Sequence, residues 1–240
     1  MIIISVLFGL ISMLGYGFAN AYSKPLSQEL GAAHLIFYRG LTISVVLGMA
    51  AIPNYPYLFH HWVAVALAMA LGIAGYIPVL AFTHGIRRSR LSVVAPIAAT
   101  APLVTVFLSF AFLKVAIGQI EWLAIALVVL ANVLVSVEFT NWRESNLFQL
   151  SSGVPFALVA AAGWGLFYFF LVPSTRALGP WMAAFLVELG VTLAAGAHLL
   201  LTAHEIYWRD SLRFSVVLNG LLTCIATVAF TVGVRYFDVG

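Results

Sequence analysis

Ala81-Phe82-Thr83-His84-Gly85-Ile86-Arg87 returns 148 positions later as Ala229-Phe230-Thr231-Val232-Gly233-Val234-Arg235. The same shift, without a gap, carries Gly15-Tyr16-Gly17 onto Gly163-Trp164-Gly165, Pro25 onto Pro173 and Leu30-Gly31 onto Leu178-Gly179. It also carries Gly48 onto Gly196 and Gly72 onto Gly220. Shared hydrophobicity aligns apolar residues by chance, but it does not bring glycines, a proline and an arginine into step. The chain therefore reads as two copies of one unit. Residues 1–139 form the first copy and 149–240 the second. Residues 140–148 connect them, and most of that connection is the longest polar stretch, Thr140-Asn141-Trp142-Arg143-Glu144-Ser145-Asn146.

Hydrophobic residues make up 63% of the 240 positions and charged residues 8%. A soluble domain carries about 25% charged residues, so this chain cannot clothe a globular surface in polar groups and takes lipid as its solvent. A formal charge of +3 is too small to point to nucleic acid. The single cysteine, Cys224, excludes an internal disulfide and a cysteine cluster for metal. A membrane-spanning helix needs about 20 mainly apolar residues. Windows near 2–22, 34–52, 62–83, 91–113, 119–138, 153–172, 180–202 and 214–234 qualify. Their apolar runs are continuous, whereas barrel strands alternate in segments of about ten residues. The expected fold is thus an all-α integral membrane bundle. Ala19-Asn20-Ala21 resembles a cleavage site after an apolar segment, but no basic residue precedes that segment and its repeat lies mid-chain. It is read as a retained first span.

The first copy contains five spans, an odd number, so the second enters the membrane from the opposite side. Inverted repeats of this kind characterise secondary transporters, with a substrate site near the midplane between the halves. Residues 93–139 have no counterpart in the second copy, and the expectation is that eight spans of a ten-helix protein are present. On the positive-inside rule the N-terminus lies outside. Lys24, Arg87, Arg88, Arg90, Arg143, Arg209 and Arg213 then face inward, against Lys114, Arg176 and Arg235 outward.

With these features in place, the chain resembles the EamA-type members of the drug/metabolite transporter superfamily. Gly15-Tyr16-Gly17-Phe18-Ala19-Asn20 is similar to the family's opening motif, and Arg39 matches an arginine common in the second span. Leu91-Ser92-Val93-Val94-Ala95-Pro96-Ile97-Ala98-Ala99-Thr100-Ala101-Pro102 resembles the fourth-span signature of small residues punctuated by two prolines. Glu121-Trp122-Leu123-Ala124 is similar to the start of the fifth span. Lys114-Val115 stands where the family usually has Gly-Glu. The resemblance implies ten helices, cytoplasmic termini, a bacterial plasma membrane, no cofactor and a small-molecule substrate. Its placement of the termini differs from the one that charge implies.

Charges inside a span cost about 2.5–3.5 kcal/mol on insertion scales and so call for an explanation. Arg39 and Glu188 are the two that lie well inside. Counting at 1.5 Å per residue from opposite faces of a core about 30 Å thick, they differ in depth by about 10 Å. Arg39 suits an anionic substrate group. Glu188 suits an amine or a coupling proton. The structural alternatives are snorkelling of Arg39 or a purely structural pair. Pro96 and Pro102 remove backbone donors, so the fourth span is expected to bend or open, and the freed carbonyls are candidates for substrate contact. Pro78 carries the same reading more weakly. Tyr16, Asn20, Trp164 and Tyr168 are cavity-lining candidates that also fit an interface belt or interhelical bonding. Asn132 and Asn219 are expected to bond between helices, and His198 to pack or cap. His60 and His61 are adjacent and lack a further ligand at metal-site spacing. No phosphate loop, zinc motif or nucleophile elbow appears.

The favoured reading is a secondary carrier of a small polar metabolite or drug-like molecule, working by alternating access. In it, helices 1–4 and 6–8 surround a cavity, helix 5 braces the outside, and any coupling is to protons through Glu188. An intramembrane enzyme acting on lipid would need acids or histidines clustered at one depth. Glu188 and His198 instead lie roughly three turns apart. A fragment that binds a partner protein or lipid is the third reading. Membrane lipid surrounds the chain in all three, and oligomeric state is not encoded in any feature of the sequence.

Overall fold

A computed structural model describes residues 2–114, 118–136, 152–202 and 210–236. The connection 140–148, Arg143 and Arg209 lie outside the described residues. The elements in order are α1 (Ile2–Leu30), α2 (Ala32–Ala50), a 3-10 turn (Ile52–Asn54), the short α3 (Tyr57–His60), α4 (Trp62–Arg88), α5 (Leu91–Ala98), α6 (Ala101–Leu113) and α7 (Gln119–Ser136). They continue with α8 (Val154–Leu178), α9 (Pro180–Leu201), a second 3-10 turn (Asp210–Leu212) and α10 (Arg213–Tyr236). No strand occurs among the described residues. Among the described residues, seven helical stretches are long and apolar enough to cross a membrane; α7 fills the fifth window with a shorter apolar stretch, Trp122–Asn132.

The helices present an inside-out surface. On α1, Ile3, Leu7, Leu10, Leu14 and Phe18 are exposed, while Ser5, Ser12, Ser23 and Ser27 are buried. In water such a face would be an aggregation patch. In lipid it matches its surroundings, and two of the hydroxyls inside bond to backbone carbonyls, Ser23 to Ala19 at 2.8 Å and Ser27 to Lys24 at 2.8 Å.

Helix boundaries fall at the same 148-residue spacing. α1 ends at Leu30 and α8 at Leu178, 148 positions apart; α2 begins at Ala32 and α9 at Pro180, again 148 apart. Between them stand Gly31 (φ 86, ψ 159) and Gly179 (φ 77, ψ 162). Only glycine adopts that combination without strain, and it lets each helix restart after a single residue.

The chain divides into two compact units, residues 1–76 with 170–240, and residues 77–169. In the first unit α1 packs on α10 and α2 on α9. A Cβ at Gly48 would meet the Phe185 ring at 3.1 Å, and one at Gly196 would meet the Phe37 ring at 3.1 Å. Each member of one contact is the repeat counterpart of a member of the other. Ser44 Oγ and Thr192 Oγ1, themselves repeat counterparts, are hydrogen-bonded at 3.2 Å. Contacts thus run down α9 as they run up α2, so the helices are antiparallel about a pseudo-two-fold axis beside Ser44 and Thr192. Gly72 against Gly190 and Gly220 against Thr42 form a further reciprocal pair. Small residues let backbones approach this closely where no hydrophobic drive separates helix from lipid.

In the second unit Phe82, Ile86, Val94, Ala98, Ala157 and Ala160 form a core on which Leu91, Ala95, Ile97 and Trp164 pack. The fourth span opens as its prolines predict, with the break at Ala99-Thr100, between α5 and α6. Pro102 has no N–H for the Ala98 carbonyl. Thr100 closes the turn by donating its N–H to Ile97 O at 3.1 Å and its hydroxyl at 2.7 Å. Lys114 ends α6 in the left-handed conformation (φ 52, ψ 32), which explains why a glycine would suit that position.

Candidate functional site

The first unit brings Tyr16 on α1, Arg39 on α2 and Glu188 on α9 together. Arg39 lies within electrostatic reach of both Glu188 and Tyr16. Arg39 and Glu188 are each only partly buried. Gly40, next to Arg39, faces Thr192 so closely that a Cβ there would overlap its hydroxyl. That approach lets a charge on α2 address a charge on α9.

Hydroxyl groups surround Glu188. Thr227 Oγ1 on α10 donates to Glu188 Oε1 at 2.9 Å. Tyr16 OH lies 2.9 Å from Thr227 Oγ1. A threonine hydroxyl carries one hydrogen, and Thr227 gives its own to the carboxylate. Tyr16 is therefore the donor to Thr227, and the order is Tyr16 to Thr227 to Glu188. A second chain follows the same logic. Thr192 Oγ1 donates to the Glu188 carbonyl at 2.7 Å, so Ser44 donates to Thr192 across 3.2 Å. Cys224, one turn before Thr227, is also within electrostatic reach of Glu188.

Asn20 lies one turn along α1 from Tyr16 and is partly buried. The remaining sequence candidates, Trp164, Tyr168, Pro96 and Pro102, belong to the second unit. There Trp164 packs on Phe82, ring centroids 5.3 Å apart. Tyr168 stands edge-on to Phe167 at 5.6 Å. Pro96 is partly buried within α5, Pro102 is exposed at the start of α6, and Pro78 packs against Gly163.

Asn219 bonds between helices as expected, its Nδ2 donating to Ala19 O at 2.6 Å and to Ser23 Oγ at 3.0 Å. Asn132 does not. Its amide returns to Val128 O of its own helix at 3.0 Å, because an exposed amide on α7 has the i−4 carbonyl as its nearest acceptor. His198 packs on α4, with Tyr76 OH 2.6 Å from its Nδ1. Among the described residues no group of histidine, cysteine or acidic side chains is arranged to hold a metal ion.

Sequence reasoning missed Thr227, Thr192 and Ser44. A signal was present: Asn219, Thr223, Thr227 and Thr231 recur every four residues on α10, a polar stripe on one face of an otherwise apolar helix. Ser44 and Thr192 are hydroxyl residues in register under the repeat.

No relative among curated proteins matches the chain. The model of the EamA-like transporter family matches residues 3–137, more than half of the sequence. The chain therefore belongs to the EamA-like transporter family, within the drug/metabolite transporter superfamily of membrane transporters.

Proposed function

We propose that this protein is a secondary carrier moving a small polar metabolite or drug-like molecule by alternating access, with proton coupling at Glu188. The repeats 1–139 and 149–240, joined through 140–148, are the parts that rock against each other, and the protein resides in a bacterial plasma membrane.

The observation that carries this reading is the placement of Arg39 and Glu188 on the two antiparallel helices flanking the pseudo-two-fold axis. Carriers of this architecture bind substrate near the midplane at the repeat interface. Together the two charges cancel. A net charge in the membrane interior is costly, so loading proceeds best with no change in net charge. A zwitterion satisfies this by setting its anionic group against Arg39 and its amine against Glu188. A monoanion satisfies it by binding with a proton on Glu188. Thr227 donates to the carboxylate, and Tyr16 is hydrogen-bonded to Thr227 behind it.

Glu188→Gln keeps the shape and removes the charge. The expected result in proteoliposomes is transport lowered by about tenfold or more, since one charge of the pair is left uncompensated, and residual transport that no longer responds to pH. Transport and pH dependence both unchanged in Glu188→Gln would remove Glu188 from the mechanism.

A further inference from the structure

We propose that Thr227, with Tyr16 behind it, is a positioning residue for Glu188. The hydroxyl pair fixes Oε1 against α10 and α1 and leaves Oε2 as the oxygen offered to a hydrogen-bond donor of the ligand. The inference rests on the reading of Glu188 as the coupling and binding carboxylate.

Three observations carry it. First, Thr227 departs from the habit of its own helix. Thr223 donates to Asn219 O at 2.9 Å and Thr231 to Thr227 O at 3.1 Å. That return to the carbonyl four residues back is the usual resting place of a threonine hydroxyl in an apolar helix. Thr227 sends its hydrogen across to α9 instead, and a carboxylate is the kind of acceptor strong enough to draw it away.

Second, the backbone is shaped for the approach. Gly15, beside Tyr16, faces Ala226, beside Thr227, and a Cβ at Gly15 would lie 2.9 Å from that of Ala226. Any larger residue at position 15 would separate the two hydroxyls.

Third, the repeat supplies an internal control. The counterparts of Tyr16 and Thr227 are Trp164 and Val79. The counterpart crossing keeps its glycine, Gly163 against Pro78, yet no hydroxyl pair can form there. The counterpart of Glu188 is Gly40. The hydroxyls are present where the carboxylate is present and absent where it is absent.

Difference infrared spectroscopy of the full chain in lipid vesicles tests this without a substrate. Subtracting the spectrum of Glu188→Gln from that of the wild type isolates the band of one carboxyl group. Thr227→Val is expected to displace that band, and Thr227→Ser to return it to the wild-type position. Tyr16→Phe should displace it less, because it acts through Thr227. A Thr227→Val band at the wild-type position, or a Thr227→Ser band displaced like that of the valine variant, would overturn the proposal. If Thr227→Val does not fold, Tyr16→Phe decides, an undisplaced band counting against it. The two readings fail separately. A displaced band with transport indifferent to Glu188→Gln keeps the relay and discards the carrier role of Glu188. An undisplaced band with transport lost does the reverse.

Discussion

α1 crossing α10, and α8 crossing the later part of α4, are the same crossing written twice. Gly15 meets Ala226 in one, and Gly163 meets Pro78 in the other. Both use a glycine to bring two antiparallel helices within reach. The first crossing then places Tyr16 on Thr227 and, through it, on Glu188. The second places Trp164 on Phe82 in an apolar core. The backbone relation holds at both crossings, and the polar chemistry occupies one. Packing between small residues defines the architecture, and the few polar residues laid over it define the candidate site.

Enlarging both glycines separates these two contributions and should give the largest effects. Gly15→Val and Gly163→Val each overpack a crossing with rigid neighbours, so each should cost about 3 kcal/mol, the upper part of the range for inserted methylenes, read by unfolding in mixed micelles. Transport should fall further for Gly15→Val than stability alone explains, and should track stability for Gly163→Val. Equal transport losses would remove the distinction between the crossings.

A smaller and more symmetric effect is expected at the single-residue helix breaks. Gly31→Ala and Gly179→Ala force a side chain into a conformation that costs on the order of 1–3 kcal/mol. Their destabilisation in the same unfolding assay should agree closely, because the two backbones are nearly superimposable in φ and ψ. A large disparity would weaken the equivalence of the copies.

The smallest effect is a gain. Lys114 holds a left-handed conformation at the end of α6, so Lys114→Gly should stabilise by roughly 0.5–1 kcal/mol. Destabilisation would mean that the lysine side chain contributes more than its backbone costs.

Much of this comparison is legible in the residues. Glycine spacing and the seven-residue echo around Arg87 and Arg235 disclose the repeat, because a close helix crossing tolerates little else. The prolines of the fourth span disclose its break, because a missing N–H cannot be supplied from elsewhere. Arg39 and Glu188 stand out because charge is rare in lipid. Thr227, Thr192 and Ser44 do not stand out. Hydroxyls cost little in a helix that can absorb them at the i−4 carbonyl, so their presence does not announce a role, and only the direction of the bond distinguishes Thr227 from Thr223 and Thr231. The compact units are equally hidden. α1 pairs with α10 and α2 with α9, so residues from both ends of the chain share one unit, a partition that no linear boundary marks.

The central claim is that α2 and α9 run antiparallel about an axis beside Ser44 and Thr192 and move there during the cycle. Ser44→Cys with Thr192→Cys, in a chain carrying Cys224→Ala, measures it directly, since the native hydroxyl oxygens are 3.2 Å apart and a disulfide needs Cβ atoms about 3.5–4.5 Å apart. The account predicts rapid cross-linking by mild oxidant, arrest of transport in the cross-linked protein and recovery on reduction. Failure to cross-link, or full transport while cross-linked, would contradict it.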